Sequence, residues 1–217
     1  MQKAYRGMGM EGSIARWYDK TTRKDMPEYQ KVASEIDTML AAGGDILEVA
    51  PGPGFLAIEL AKCGRHRVTG LDISKTFVDI ACRNAEAARV KIDFRNGNAS
   101  RMPFGEGSFD FVVCRAAFKN FSEPMKAIEE MHRVLRPRGK GVIIDLRRDA
   151  SMTMISTYVD RMGMGVWNGL FTKMIFRFML IRRAYTVPEF KQMLAKVPFT
   201  RTWIEANEVG LEAWFEK

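Results

Sequence analysis

The chain has 217 residues, 47% of them hydrophobic and 28% charged, which suits one domain with a sizeable core and excludes an intrinsically disordered chain. Lysine and arginine number 34 against 26 acids, and the resulting charge of +8 admits nucleic acid, an anionic membrane or an anionic small molecule without selecting one. The first ten residues lack the apolar stretch of a secretory signal, and the longest uncharged run, 162–172, falls short of the roughly 20 residues that span a bilayer. Cys63, Cys82 and Cys114 are scattered and form no CxxC pair, which fits a cytoplasmic protein and not a disulfide framework. With only His66 and His132 beside them, no metal site is expected.

The pattern opens on a helical arm, 1–44, with apolar Ile14, Trp17 and Tyr18 and then Val32, Ile36, Met39 and Leu40. Residues 45–50 (DILEVA) predict a buried strand that ends at Pro51-Gly52-Pro53-Gly54. A helix over 55–63 follows, closed by Gly64, and then a strand over 66–71. Ser74 caps a helix that reaches Ala88. Further strands are expected at 90–95 and 108–114, a helix at 122–135 stopped by Pro137 and Gly139, and a fifth strand at 140–146. Such alternation of doubly apolar strands with helices predicts an α/β fold, a parallel sheet covered on both faces. Ligands in these sheets bind beyond the carboxyl ends of the strands, which singles out 48–54, Asp72, Asn98, 115–118 and Arg147.

The segment 150–185 breaks the alternation, holds six of the fifteen methionines and repeats apolar residues at Ile155, Val159, Met162 and Val166. It predicts a helical cap inserted after the fifth strand. Within it, 171–183 carries four bases and no acid, with Phe171, Met174, Phe178 and Ile181 at helical spacing. That suits a roomy apolar pocket, peripheral contact with an anionic membrane, or a core helix with basic outer residues. Residues 199–205 and 210–215 predict a closing hairpin. The expected organisation is one domain, with an arm (1–44), a core (45–149), a cap (150–186) and a closing helix and hairpin (187–217).

Gly52-Pro53-Gly54-Phe55-Leu56-Ala57 fits GxGxx(G/A) between strand and helix, and Asp72 ends the second strand, where it can bind two ribose hydroxyls. Dinucleotide enzymes share this motif. Glu48 tilts the choice, because a carboxylate just ahead of the loop repels a pyrophosphate and suits a cationic or zwitterionic ligand. Its alternative task is to hold loop amides. The blocks 98–104, 109–110 and 133–137 have no role in a dinucleotide fold.

Taken together, Glu48-Val49-Ala50-Pro51-Gly52-Pro53-Gly54, Gly70-Leu71-Asp72-Ile73-Ser74, Gly97-Asn98-Ala99 with Met102-Pro103-Phe104, Ser108-Phe109-Asp110 and Met131-His132-Arg133-Val134-Leu135-Arg136-Pro137 resemble the class I S-adenosylmethionine (SAM) methyltransferases, in the branch of the ubiquinone/menaquinone-biosynthesis C-methyltransferases. The resemblance implies a Rossmann-like seven-stranded sheet, mostly parallel with an antiparallel last strand. It implies SAM as cofactor and S-adenosylhomocysteine as product. Glu48, Ala50, Pro51, Gly52 and Gly54 are then expected along the methionine and ribose, Asp72 on the ribose and Ile73 beside the adenine. Asn98, where the family commonly has Asp, and Ala99 fall at the adenine amine, and Cys114 and Arg115 at the methionine end.

Methyl transfer from a sulfonium is an in-line displacement that mainly needs alignment and a dry pocket. No histidine base stands out. Tyr18 and Arg115 are the catalytic candidates, and Tyr18, Phe118, Arg147, Tyr158, Met162 and Tyr185 the substrate candidates. Arg115, Lys119, Arg147 and Arg148 gather near strand ends, where they suit an anionic group. The expected partner is a small, apolar or aromatic acceptor, and nucleic acid is not expected. An RNA methyltransferase and a SAM-binding protein without transfer are the alternatives.

Overall fold

The computed structural model describes Tyr5, residues 9–161, Met174 and residues 181–217. Seven strands form one sheet: β1 (Gly44–Val49), β2 (His66–Asp72), β3 (Asp93–Asn96), β4 (Phe109–Arg115), β5 (Leu135–Leu146), β6 (Arg201–Ala206) and β7 (Gly210–Glu216). Their order is β3-β2-β1-β4-β5-β7-β6. The first five are parallel, β7 runs antiparallel to β5, and β6 pairs antiparallel with β7. The order reverses between β1 and β4, which opens a crevice at their carboxyl ends.

Helices cover both faces: α1 (Gly12–Thr22), α2 (Met26–Met39), α3 (Phe55–Lys62), α4 (Lys75–Ala87), α5 (Pro124–Val134), α6 (Met152–Arg161) and α7 (Val187–Leu194). The two-residue period of a strand sends Ile46, Phe111 and Val113 into one core with α2 and α3, and Leu47, Val49, Val112 and Cys114 into the other with α5 and α7. In β5 a side chain at position 141 would collide with the ring of Phe215 on the facing strand, so glycine is required there.

The observed elements differ from the expected ones in the bounds of β3 and β5. In α1 the helix buries Ala15 and leaves Trp17 64% exposed, so the arm seats by a small residue rather than by its largest apolar one. β3 starts at Asp93, because Val90 N–H still closes α4 by donating to the Ala85 carbonyl at 3.1 Å. β5 starts at Leu135, directly after α5; Leu135 pairs Phe109, and a register shift then sets Lys140 against Phe111. Pro137 and Gly139 therefore lie in a bulged strand rather than ending a helix. Of the expected cap, α6 buries Ile155 and Val159 against Ile181 and Val209, and Met174 is exposed. Met162, Val166, Phe171 and Phe178 lie outside the described residues.

Candidate active site

The turn after β1 is built on backbone conformations that few side chains tolerate. Ala50 (φ 58°), Gly52 (56°) and Gly54 (82°) all lie in the left-handed region, and so does Ala116 (59°) at the end of β4. Two non-glycine residues in this region, at the ends of adjacent strands, concentrate strain at the crevice. Backbone bonds hold both: Ala50 N–H to the Leu71 carbonyl at 2.8 Å, and Ala116 N–H to that of Ile144 at 2.7 Å. Gly54 is also packed, since a Cβ there would stand 2.8 Å from Cζ of Phe94 and 3.0 Å from Cβ of Ala81. Gly54→Ala should therefore cost about 2–3 kcal/mol, read as a fall in urea midpoint at unchanged slope; a midpoint within error of the parent would contradict the packing.

Two carboxylates flank this turn. Asp72 is buried and accepts from Gly52 N–H at 3.0 Å and Ser74 N–H at 2.8 Å. Burial pushes its carboxyl up to about 6, while these amides pull the other way. Glu48 points to the α2–α3 face, and its Oε2 is buried without a hydrogen-bond partner among the described residues. Burial pushes Glu48 up to about 8, against a pull from the first-turn amide of Ala57 and from Arg115. Glu48 pairs with Val113 across the strands, so Arg115 follows two residues on along β4, on the same face. Its guanidinium lies 4.4 Å from the centre of the Tyr29 ring. Cys114 faces the opposite core, and burial pushes its thiol well up, which rules out a thiolate at neutral pH.

The arm lies against the glycine turn and α4. Tyr18 is half-buried, meets Phe77 edge-on at 5.8 Å and comes within 4.0 Å of where a Cβ on Gly52 would be. Burial raises its phenol and Arg115 opposes the shift. Asn84 on α4 donates both to Asp19 at 3.0 Å and to the Pro53 carbonyl at 2.9 Å, tying arm to loop.

The remaining expected residues disperse. Ile73 is 42% exposed beside Asp72. The side-chain oxygen of Asn98 accepts from Ser100 N–H at 2.9 Å, and Ala99 is half-buried behind it. Phe118 is fully buried among Phe121, Tyr185 and Phe190. Arg147 is held by Asp149 at 2.8 Å and by the Asn207 carbonyl at 3.2 Å. Tyr158 is half-buried on α6, within electrostatic reach of Arg115. Met162 lies outside the described residues.

Sequence reading missed three features. Tyr5 bridges by backbone to Phe121, and burial pushes its phenol up to about 12, with Tyr18, Arg183, Asp72 and Asp145 as its charged or polar surroundings. Asp145 is buried and pairs with Lys119 Nζ at 2.7 Å. Glu11 lies on the start of α4. These contacts span 26 residues for Lys119–Asp145 and 64 or 65 for Glu11–α4, and no local periodicity encodes them.

Residues 47–143 match the family described as "Methyltransferase domain". That segment is similar in sequence to methyltransferase domains. It contains the second half of β1, all of β2 to β4, most of β5 and every crevice residue named above except those of the arm, Asp145 and the later segments. A demethylmenaquinone methyltransferase from Deinococcus radiodurans is 36% identical over 146 residues, which cover 65% of this chain and 61% of that enzyme. The chain spans between about half and three-fifths of the length of the curated relatives it matches. The whole fold is similar to a SAM-dependent methyltransferase from Aquifex aeolicus, with TM-score 0.71 and 20% identity over 94% of this chain and 97% of that one. It is also similar to the [4+2]-cyclase SpnF, with TM-score 0.67 and 16% identity over 87% and 80%. The chain thus shares its fold both with a protein named as a methyltransferase and with one named for a different reaction.

Proposed function

We propose that this chain binds SAM in the crevice and transfers its methyl group to a small, apolar or aromatic acceptor. One observation carries the reading: a glycine turn stands between two buried carboxylates, and one of them, Glu48, has an unmatched oxygen. A cationic group is the partner that oxygen lacks. SAM offers two, the ammonium and the sulfonium, whereas a pyrophosphate would meet repulsion. The residues present therefore fit SAM.

In this reading Asp72 holds the ribose hydroxyls while its loop amides keep it oriented. Ile73 flanks the adenine, and Ala99 and the Asn98 turn border its amine. Glu48 and Arg115, one acid and one base on one face, hold the ammonium and carboxylate of the methionine end. Ala50, Pro51, Gly52 and Gly54 bring backbone against the ligand without side chains in the way. When bound, SAM supplies a methyl carbon activated by a positive sulfur. The protein contributes alignment and exclusion of water. Tyr18 and Tyr5 keep protonated phenols over the crevice, so they donate hydrogen bonds or pack and do not serve as bases. Neither histidine serves: His66 is paired with Asp37 at 2.8 Å at the amino end of β2, and His132 packs on Phe199. The names of the relatives point to the class of demethylmenaquinone, an apolar aromatic molecule, as acceptor. Peripheral membrane contact through the basic, methionine-rich segment after β5 belongs to the same reading.

Calorimetry with SAM and S-adenosylhomocysteine tests the site. The parent should bind both, and Asp72→Ala should weaken each by at least about a hundredfold, since it removes a charged acceptor and frees the turn. No heat with either ligand would end the reading. Release of S-adenosylhomocysteine on adding a quinol acceptor separates a transferase from a protein that only binds SAM. A gel shift with tRNA at physiological salt separates the RNA alternative.

A further inference from the structure

Residues 9–22 of the arm are fastened at two places beside the carboxyl ends of β1 and β2. At one, Tyr18 stands over Gly52 and Asp19 meets Asn84. The other lies on the start of α4. There Glu11 accepts from the backbone N–H groups of Lys75 and Thr76, each at 3.1 Å, and from the Thr76 hydroxyl. Gly12 N–H donates to the same hydroxyl at 3.1 Å, and Ser74 Oγ donates to the Met10 carbonyl at 2.6 Å. Asp72 and Ile73 immediately precede these residues. Both fastenings therefore border the place where a molecule seated on Asp72 and the glycine turn would lie.

We infer that Glu11 is the positioning residue that fastens this arm over the cofactor, and that its grip sets how fast SAM enters and S-adenosylhomocysteine leaves. The inference rests on the SAM reading of the crevice. Ser74 already caps α4 by accepting from Phe77 N–H at 3.0 Å. Glu11 adds a second acceptor from 64 residues away, on the amides that the Ser74 side chain leaves unmet. A negative charge is favoured at that helix end. Glu11 is also exposed, so water can replace its partners one by one. A bond that is favourable and cheap to break is what a fastening needs, whereas a buried pair would hold the arm shut.

The test uses the full chain and radiolabelled S-adenosylhomocysteine chased with excess unlabelled ligand. Glu11→Ala should release the label about tenfold faster, with faster entry and a smaller change in equilibrium affinity. Glu11→Gln, which keeps one acceptor oxygen, should fall between. Adding Thr76→Ala to Glu11→Ala should give less than the sum of the two single effects, with only the Gly12 N–H bond to the Thr76 hydroxyl left to lose, because both act at one anchor. In the ligand-free protein, amide exchange over 9–22 should accelerate in Glu11→Ala while the core stays protected. Should Glu11→Ala lower the melting temperature enough to confuse the result, Glu11→Gln decides. A folded variant that releases label at the parent's rate overturns the inference. A parent that binds neither SAM nor S-adenosylhomocysteine overturns the site reading beneath it, and the two failures are told apart by whether the parent binds.

Discussion

Glu48→Gln should stabilise the ligand-free protein in mild alkali and at the same time weaken SAM about a hundredfold or more. Burial lifts the Glu48 carboxyl from 4.5 to about 8. A group raised in the folded state favours folding while protonated. Its contribution is complete below about pH 4.5 and is lost as pH rises through about 8. The parent should therefore lose stability between pH 5 and 8.5 on this account, by on the order of 3 kcal/mol. Gln, which does not ionise, should flatten that slope, match the parent near pH 5 and exceed it at pH 8.5. Binding reverses the sign. A cation beside Oε2 favours the carboxylate, so SAM should displace a proton from Glu48 at pH 7, and affinity should rise with pH up to about 8. Urea melts across pH check the first half, and calorimetry in two buffers of different ionisation heat checks the second. Parallel stability profiles for parent and variant, or binding without proton release, would show that Glu48 is not the ligand's counter-charge.

Lys119→Met should strongly destabilise the protein. Lys119 Nζ donates to Asp145 at 2.7 Å and to the Ala116 carbonyl at 2.7 Å, and its own N–H donates to the other Asp145 oxygen at 2.9 Å. Removing the ammonium strands a buried carboxylate and frees a turn that begins in left-handed geometry at Ala116. Breaking such a pair costs about 3–5 kcal/mol, which lowers the melting temperature by about 10 °C for a chain of this size. The double change Lys119→Met with Asp145→Asn should recover part of the loss, because an amide oxygen still accepts from backbone N–H without a charge to bury. Equal melting of parent and Lys119→Met would mean the pair contributes nothing.

The sheet and the crevice were legible because their signals are local. DILEVA followed by Pro-Gly-Pro-Gly encodes strand, turn and helix within a dozen residues, and Asp72 announces itself at the end of the next apolar run. Ends of elements were less legible where tertiary contacts override them. Pro137 and Gly139 read as a helix stop, yet Arg136 bonds to Asp45 at 2.7 Å and Asp110 at 2.5 Å, which draws that stretch into the sheet as a bulge. Trp17 stood among the apolar residues of the arm, but it is Ala15 that is buried with Phe77 and Ile80 of α4 while the indole stays in water. Phe118 read as a substrate wall because it follows β4; the 3₁₀ turn at 118–120 instead rolls its ring into the aromatic core. Tyr5, Glu11 and Asp145 had no signal of their own, since each acquires meaning from a partner far along the chain.

The glycine at position 141 has a consequence for how the last strands find their place. It faces Phe215 directly across the antiparallel pair, and the ring fills the space above it. Sliding β7 by one residue would put Trp214 or Glu216 opposite that notch and turn Phe215 toward the wrong side of the sheet. The notch and the ring thus act as key and keyway, admitting a single alignment of the final hairpin and guarding the newly made chain against threading errors at its tail.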